Sequence, residues 1–532
     1  MLDYVLEGGT VYDGRGTAPV RADVGLAGGL VRKIGDLSEA SASQRINVAG
    51  LAVSPGFIDL HTHSDFTLLV DGRAQSQVHQ GVTTEVVGQC GFSCAPVTCD
   101  KDIQASGVGY LSGCLHLGWR SFGEYLARLD ATPLGVNVAA FVGQGAIHRA
   151  VLGDALRPPQ PEELESMQRL VEQAFDQGAL GMSTGLEYWP GSLSSVEQIV
   201  PLCEVAAREG GLYATHVRNR DLYYDLGFAE AISTARSAGA RLQISHIQPK
   251  FGAPAYAMTH TLEMIEAAQR QGVDIAFDVI PHDWSHTRVS AILPQWAQEG
   301  GAPKLLQRLA DPTLRAALKH NPNPMWRLVS AGRWEEIVLL RCDANPHLVG
   351  ATFAEIGRDR GSDPYDALLD LLLEEGEGLH HMLWTSRSFS DADIRMCLEQ
   401  PGCAVISDTL ALAPDGALAE QIGSLSGYGW TARFLGVYVR DESVLSLAEA
   451  IRKLTSLPAE RIGLRDRGVL QPGFNADITV FDPAAITSHC TVREPRRYPD
   501  GIAHVFVNGE AVVLDGVRCP ANPGRVLRHG KG

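Results

Sequence analysis

Short apolar runs, each followed by an amphipathic stretch, alternate through the middle of this sequence, and that rhythm leaves few folds open. The runs cover residues 53–60, 83–87, 137–142, 212–216, 242–246, 275–279 and 404–408, with amphipathic stretches such as 161–177 and 196–210 between them. A strand buried on both faces reads as a continuous apolar run, and successive parallel strands need a crossover, usually helical. Alternation sustained over about 400 residues therefore predicts a parallel α/β architecture. Periodicity does not separate a closed barrel from a doubly wound sheet. The rhythm breaks at residues 284–346, where Pro, Gly and helical pieces predict an insertion or lid.

Both ends have a different texture. Tyr4-Val5-Leu6-Glu7, Thr10-Val11-Tyr12 and Leu30-Val31-Arg32-Lys33-Ile34 are short β segments punctuated by Gly8-Gly9, Gly14 and Gly28-Gly29. Ala476-Asp477-Ile478-Thr479-Val480-Phe481 and Ala503-His504-Val505-Phe506-Val507 repeat the pattern near the far end. Residues 1–54 and 466–532 are thus expected to build one small β-sandwich domain from both termini, flanking a catalytic body at 55–465.

Composition narrows the function. The net charge is -17 with no basic run, which argues against a nucleic-acid partner. No window approaches the roughly 20 apolar residues of a membrane helix, and the first residues lack a secretory signal's basic start and apolar core. A cytoplasmic protein acting on a small molecule, with no membrane partner, is the expectation; the oligomeric state is not readable. The ten cysteines, Cys114 among them, are scattered and are expected to be free thiols.

The strongest local signal is Gly56-Phe57-Ile58-Asp59-Leu60-His61-Thr62-His63. An apolar run ends in His-x-His, and alternation along a strand puts His61 and His63 on one face. Cys90 follows the apolar Val86-Val87; His216, His246 and Asp408 each end a further run. A lone strand-end histidine, cysteine or aspartate is more often structural. Six such residues at the ends of five runs point to a metal centre, because parallel barrels gather catalytic groups at the carboxyl ends of their strands. His79, His116, His148, His380 and His381 fit no strand end and are read as surface or supporting groups.

These stretches, GFIDLHTHSD, GVTTEVVGQCGFSCAP, GALGMSTGLEY, YATHVRNR, RLQISHIQPK, Asp408 and RGVLQPGFNADITVFDP, carry a resemblance over nearly the whole chain. The sequence resembles the N-acyl-D-amino-acid deacylase (D-aminoacylase) branch of the amidohydrolase superfamily. That resemblance implies a metal-dependent (β/α)8 TIM barrel. It implies a tightly bound zinc on Cys90, His216 and His246, and a second, weaker metal position on His61, His63, Cys90 and Asp408. No lysine stands at a strand end to bridge two metals, and Cys90 sits where this branch has its bridging cysteine. The implied activity is hydrolysis of a linear amide, the deacylation of an N-acyl (D-)amino acid. Zinc lowers the pKa of bound water to about 7. Asp408 would act as general base, then as general acid toward the departing amine.

The substrate side departs from the branch. Its carboxylate-binding arginine is replaced by Ser426, a tyrosine by His282, and a lysine after the strand-end histidine is offset to Lys250. Serine cannot make a bidentate guanidinium–carboxylate contact. Two expectations stand: Lys250, Arg218 or Arg288 takes the carboxylate, or the substrate is an uncharged aryl, alkyl or cyclic amide. In the second case Trp284, Tyr428 and Trp430 would line an apolar pocket.

Overall fold

The computed structural model describes residues 1–100, 115, 117–155, 157–320, 326–419 and 423–530; Cys114 and His116 lie outside the described residues. Its centre is a ring of parallel strands: β1 (Phe57–Asp59), β2 (Val82–Val87), β3 (Asn137–Gly143), β4 (Gly181–Gly185), β5 (Leu212–His216), β6 (Arg241–Ile244), β7 (Ile275–Val279) and β8 (Cys403–Val405). Each pairs in parallel with the next in sequence order. The seam between β8 and β1 closes just beyond the strand ends. There the Asp408 N–H donates to the His61 carbonyl at 3.1 Å and the His63 N–H to the Thr409 carbonyl at 2.7 Å. The chain is a (β/α)8 barrel.

Residues on these strands are buried on both faces, which is why the sequence shows runs rather than alternation. Leu60, Val86, Phe141, Leu180, Leu212 and Ile406 belong to the cluster that fills the barrel interior. The outer helices follow ordinary rules. In helix Pro161–Asp176 proline occupies the first turn and Gln160 and Glu163 form a reciprocal cap. Met167, Val171, Ala174 and Phe175 form its buried stripe at helical spacing. Each large side chain in that stripe contributes about 1.5–3 kcal/mol by leaving water.

The two termini meet in one nine-stranded sheet, where Ala52–Pro55 pairs antiparallel with Ile478–Phe481. Leu6, Val24, Val53, Ile478 and Phe506 pack in its core. Close to the C-terminus, Val526–Leu527 adds in parallel to β3 and ties the tail to the barrel.

Between β7 and β8 the chain leaves the barrel. Trp284–Arg288 and Ile337–Arg341 flank Leu383–Arg387 in an antiparallel three-stranded sheet. This unit has its own core, running from Val289 and Ile292 through Leu339, Phe353 and Leu372 to Trp384. It continues well past residue 346. Helices Phe353–Arg360 and Pro364–Glu375 are capped and amphipathic like barrel helices, so their sequence does not reveal which core they cover. No helix among the described residues is long and apolar enough to cross a membrane.

Candidate metal centre

The seam hydrogen bonds that close the barrel also assemble the site. Asp59 accepts from the backbone N–H groups of Ser407 at 3.1 Å and His61 at 3.4 Å, joining the β1 and β8 ends from inside. His61, His63 and Asp408 are thereby brought together: Asp408 Oδ1 lies 3.4 Å from His61 Nε2 and 3.1 Å from His63 Nε2. Cys90 comes in from the end of β2. Its Sγ is 3.3 Å from His61 Nε2, 3.7 Å from His216 Nδ1 and 3.4 Å from His246 Nε2. His216 Nδ1 and His246 Nε2 are 3.1 Å apart. Donor atoms of His61, Cys90, His246 and Asp408 all fall within 4.8 Å of one another.

Three of these residues are held in a left-handed backbone conformation, with φ of 53° at Cys90, 33° at His246 and 51° at Asp408. Such a conformation costs a non-glycine residue about 1–3 kcal/mol and persists where the surroundings over-determine it. The surroundings here are specific. Asp278 accepts from the His246 N–H and from Gln243 Nε2, and Arg220 donates to the His246 carbonyl. Gly185 lets the Cys90 loop approach, since a Cβ there would stand 2.0 Å from the Cys90 carbonyl oxygen.

The donor chemistry fits a zinc ion. Burial pushes the Cys90 thiol well above its usual range and lowers His246, with His61 brought to about 3 and His216 to about 4. The imidazoles are therefore neutral donors, and the thiol needs a cation to become a thiolate. Thiolate sulfur with imidazole nitrogen is a zinc-type set. Asp408 stays ionised. Burial would raise it, but the hydrogen bond with His63, ahead of its other histidine neighbours, holds it well below the usual carboxylate range.

Two carboxylates that carry no strand-end signal support the ligands. Asp278 holds the His246 backbone, and Glu187 accepts from His216 Nε2 at 2.6 Å. Glu187 also takes Lys250 Nζ on both oxygens, at 2.6 and 2.7 Å, and Lys250 lies 4.6 Å from the Trp326 ring centroid.

A cleft opens beside the cluster, lined by His63, Phe92, Tyr188, His286, Arg288 and Asp408 among others. Of the substrate-side residues expected from sequence, Arg288 lines it; the rest do not. Lys250 is engaged by Glu187, and Arg218 by Glu230 and the carbonyls of Ser192 and Ser194. Ser426, Tyr428 and Trp430 sit on helix Ser426–Arg433, buried away from the cleft; Trp430 Nε1 donates to Gln77 and Tyr428 packs on Tyr498. His282 is buried near Arg433, and Trp284 pairs with Arg387. His286, absent from the sequence reading, lies two residues before Arg288 on the same strand face. Burial, opposed by Asp408 and reinforced by His63, lowers it to about 4.

Arg288 is held by stacking. Its guanidinium carbon is 4.7 Å from the Phe92 ring centroid and 5.8 Å from that of Tyr188. Burial lowers it to about 10, so it stays charged at neutral pH. Among the described residues no carboxylate pairs with it.

A metal-type cluster at the strand ends of a closed parallel barrel, opening on a cleft with one ionised aspartate, defines a metal-dependent barrel hydrolase. The sequence profile of the Amidohydrolase family matches residues 44–318 and 408–513, and the chain belongs to that family. The unmatched gap spans much of the inserted unit. Along its length the chain is similar to the D-aminoacylase of Alcaligenes xylosoxydans xylosoxydans, 33% identical over 99% of this chain and 97% of that protein. It is 32% identical to the N-acyl-D-glutamate deacylase of the same organism, over 99% of this chain and 96% of that protein. Among solved structures it is similar to the N-acyl-D-glutamate deacylase of Bordetella bronchiseptica, complexed with zinc and a phosphonate that mimics the tetrahedral intermediate. That match has a TM-score of 0.83 at 29% identity and covers 99% of both chains. The chain is an amidohydrolase with D-aminoacylase-like relatives.

Proposed function

We propose that this enzyme removes the acyl group from an N-acyl amino acid of the D series, with zinc held by Cys90, His216 and His246. The observation that carries this reading is Arg288: a buried guanidinium lining the cleft that also contains Asp408, fixed by two aromatic rings and paired with no carboxylate among the described residues. A charged group in that position invites a carboxylate, and it takes over the part that Ser426 cannot play. The activities named for the full-length relatives support the same substrate class.

Zinc supplies a Lewis acid for the scissile carbonyl and acidifies the attacking water. The chain's own groups do the rest. Arg288 anchors the substrate carboxylate and so sets the amide against Asp408. Asp408 is ionised in the resting site, so it takes the proton of the attacking water. It then returns that proton to the amide nitrogen, which leaves as a neutral amine while the C–N bond breaks. His61 and His63 orient the Asp408 carboxylate and offer a second, weaker metal position with Cys90.

The test is a screen of the zinc-loaded enzyme on N-acetyl D- and L-amino acids, simple anilides and cyclic imides, with Asp408→Asn alongside. Turnover of the N-acetyl-D-amino acids, lost in Asp408→Asn with zinc retained, is expected. Turnover confined to anilides or cyclic imides would overturn the reading.

A further inference from the structure

Along strand Trp284–Arg288 half-buried positions alternate with buried ones, and two successive half-buried side chains, His286 and Arg288, line the cleft with Asp408 and His63. Their backbones stand about 7 Å apart along the strand. The charged groups that act on the His286 ring are Asp408 and His63, and among the described residues no hydrogen bond engages it. Neighbouring acceptors are already committed. The Tyr188 phenol oxygen accepts from Thr287 Oγ1 at 3.3 Å, and Asp408 Oδ1 faces both His61 and His63. The His286 imidazole is neutral, because burial outweighs the pull of Asp408. A neutral imidazole carries one N–H and one bare nitrogen that accepts.

A substrate that meets Arg288 with its carboxylate and the metal centre with its carbonyl lays its amide nitrogen between the two. In an N-acyl amino acid one carbon separates the carboxylate from that nitrogen, a span of about 2.5 Å. The nitrogen thus falls beside Arg288 on the side toward Asp408, where His286 stands. Its N–H leaves water on entering the cleft, and a desolvated donor without an acceptor is penalised.

We propose that His286 accepts a hydrogen bond from the N–H of the scissile amide and so aims the nitrogen at Asp408. This deepens the amide-hydrolysis reading above and rests on it. Attack of water turns the flat amide nitrogen pyramidal, with one N–H and one lone pair. With the N–H held by His286, the nitrogen cannot rotate freely, and its lone pair is presented to the protonated Asp408. The proton passes from Asp408 to that lone pair, the C–N bonding pair goes to nitrogen, and the carbonyl re-forms. The departing amine carries one hydrogen from the substrate and one from Asp408. Because the lone pair forms only after attack, the aim set by His286 counts mainly in the transition state.

The experiment measures kcat and KM for N-acetyl-D-alanine and for O-acetyl-D-lactate, the same molecule with an ester oxygen in place of the amide N–H. The enzymes are the wild type, His286→Ala and His286→Gln, with zinc content and circular dichroism to establish that each is loaded and folded. His286→Ala should lower kcat/KM on the amide about 10- to 100-fold, mostly through kcat, the scale of one buried hydrogen bond. The loss on the ester should be far smaller. His286→Gln, whose side-chain carbonyl can accept the same bond, should recover part of the amide rate. Equal losses on amide and ester, or an unaltered amide rate in His286→Ala, would overturn the proposal. If N-acetyl-D-alanine is not hydrolysed but acetanilide is, the N-acyl amino acid reading falls, and acetanilide against phenyl acetate decides His286 by the same criteria. Hydrolysis of neither amide would overturn both.

Discussion

Glu187 Oε2 lies 2.6 Å from Nε2 of His216, so the carboxylate, which can only accept, fixes the proton on that nitrogen and turns the bare Nδ1 toward Cys90 and His246. Burial would raise Glu187, but the Lys250 charge and the His216 bond bring it down to about 2. A carboxylate behind a ligating histidine orients the ring and raises its basicity. Glu187→Gln keeps the shape and removes the charge. Zinc affinity, measured by competition with a chromogenic chelator, should fall about 10- to 100-fold. Unchanged affinity would mean that Glu187 is only packing.

Arg288 gives a kinetic prediction. Arg288→Met keeps much of the stacking on Phe92 and Tyr188 but loses the charge. For an N-acyl amino acid, kcat/KM should drop about 10- to 100-fold, mostly through KM, because a carboxylate remote from the reacting bond is held alike in ground and transition states. The corresponding N-acyl amino acid amide should be affected far less. An equal loss on both would place Arg288 in a structural role.

Glu85 gives a pH signature. It is buried on β2, opposite Asp59 of β1. Burial, then Asp59 and Asp65, raise it from 4.5 to about 8 against a hydrogen bond from Ser64. A carboxyl raised on folding binds its proton more tightly in the native state. Its contribution is full below pH 4.5 and is lost as pH rises toward about 8. Glu85→Gln removes the ionisation, so the gap in thermal midpoint between pH 5 and pH 8.5 should shrink in the variant. An identical gap in both proteins would show that Glu85 does not carry this dependence.

The sequence made the ligand-bearing strand ends legible because an apolar run that stops at a histidine, cysteine or aspartate combines two physical signals. β4 (Gly181–Gly185) escaped the list of runs. Its glycines are there to let neighbouring backbones approach, and that leaves no apolar stretch to see. Glu187, Asp278 and His286 were hidden for a related reason. Their roles come from partners such as His216, His246 and Asp408 that only the closed barrel brings near. The resemblance puts Ser426 where the branch has its carboxylate-binding arginine, and an uncharged substrate would make Tyr428 and Trp430 pocket walls. A helix over Ser426–Arg433 instead turns Trp430 toward Gln77 and Tyr428 toward Tyr498.

The most direct measurement is the zinc content of purified Cys90→Ala beside the wild type, with circular dichroism to establish folding. Cys90 Sγ is within 3.7 Å of His61, His216 and His246, and both metal positions proposed for this cluster use it. The prediction is a folded protein that has lost both its tightly bound zinc and its amidohydrolase activity. A folded variant that keeps a full equivalent of zinc would contradict the metal centre and the hydrolysis built on it.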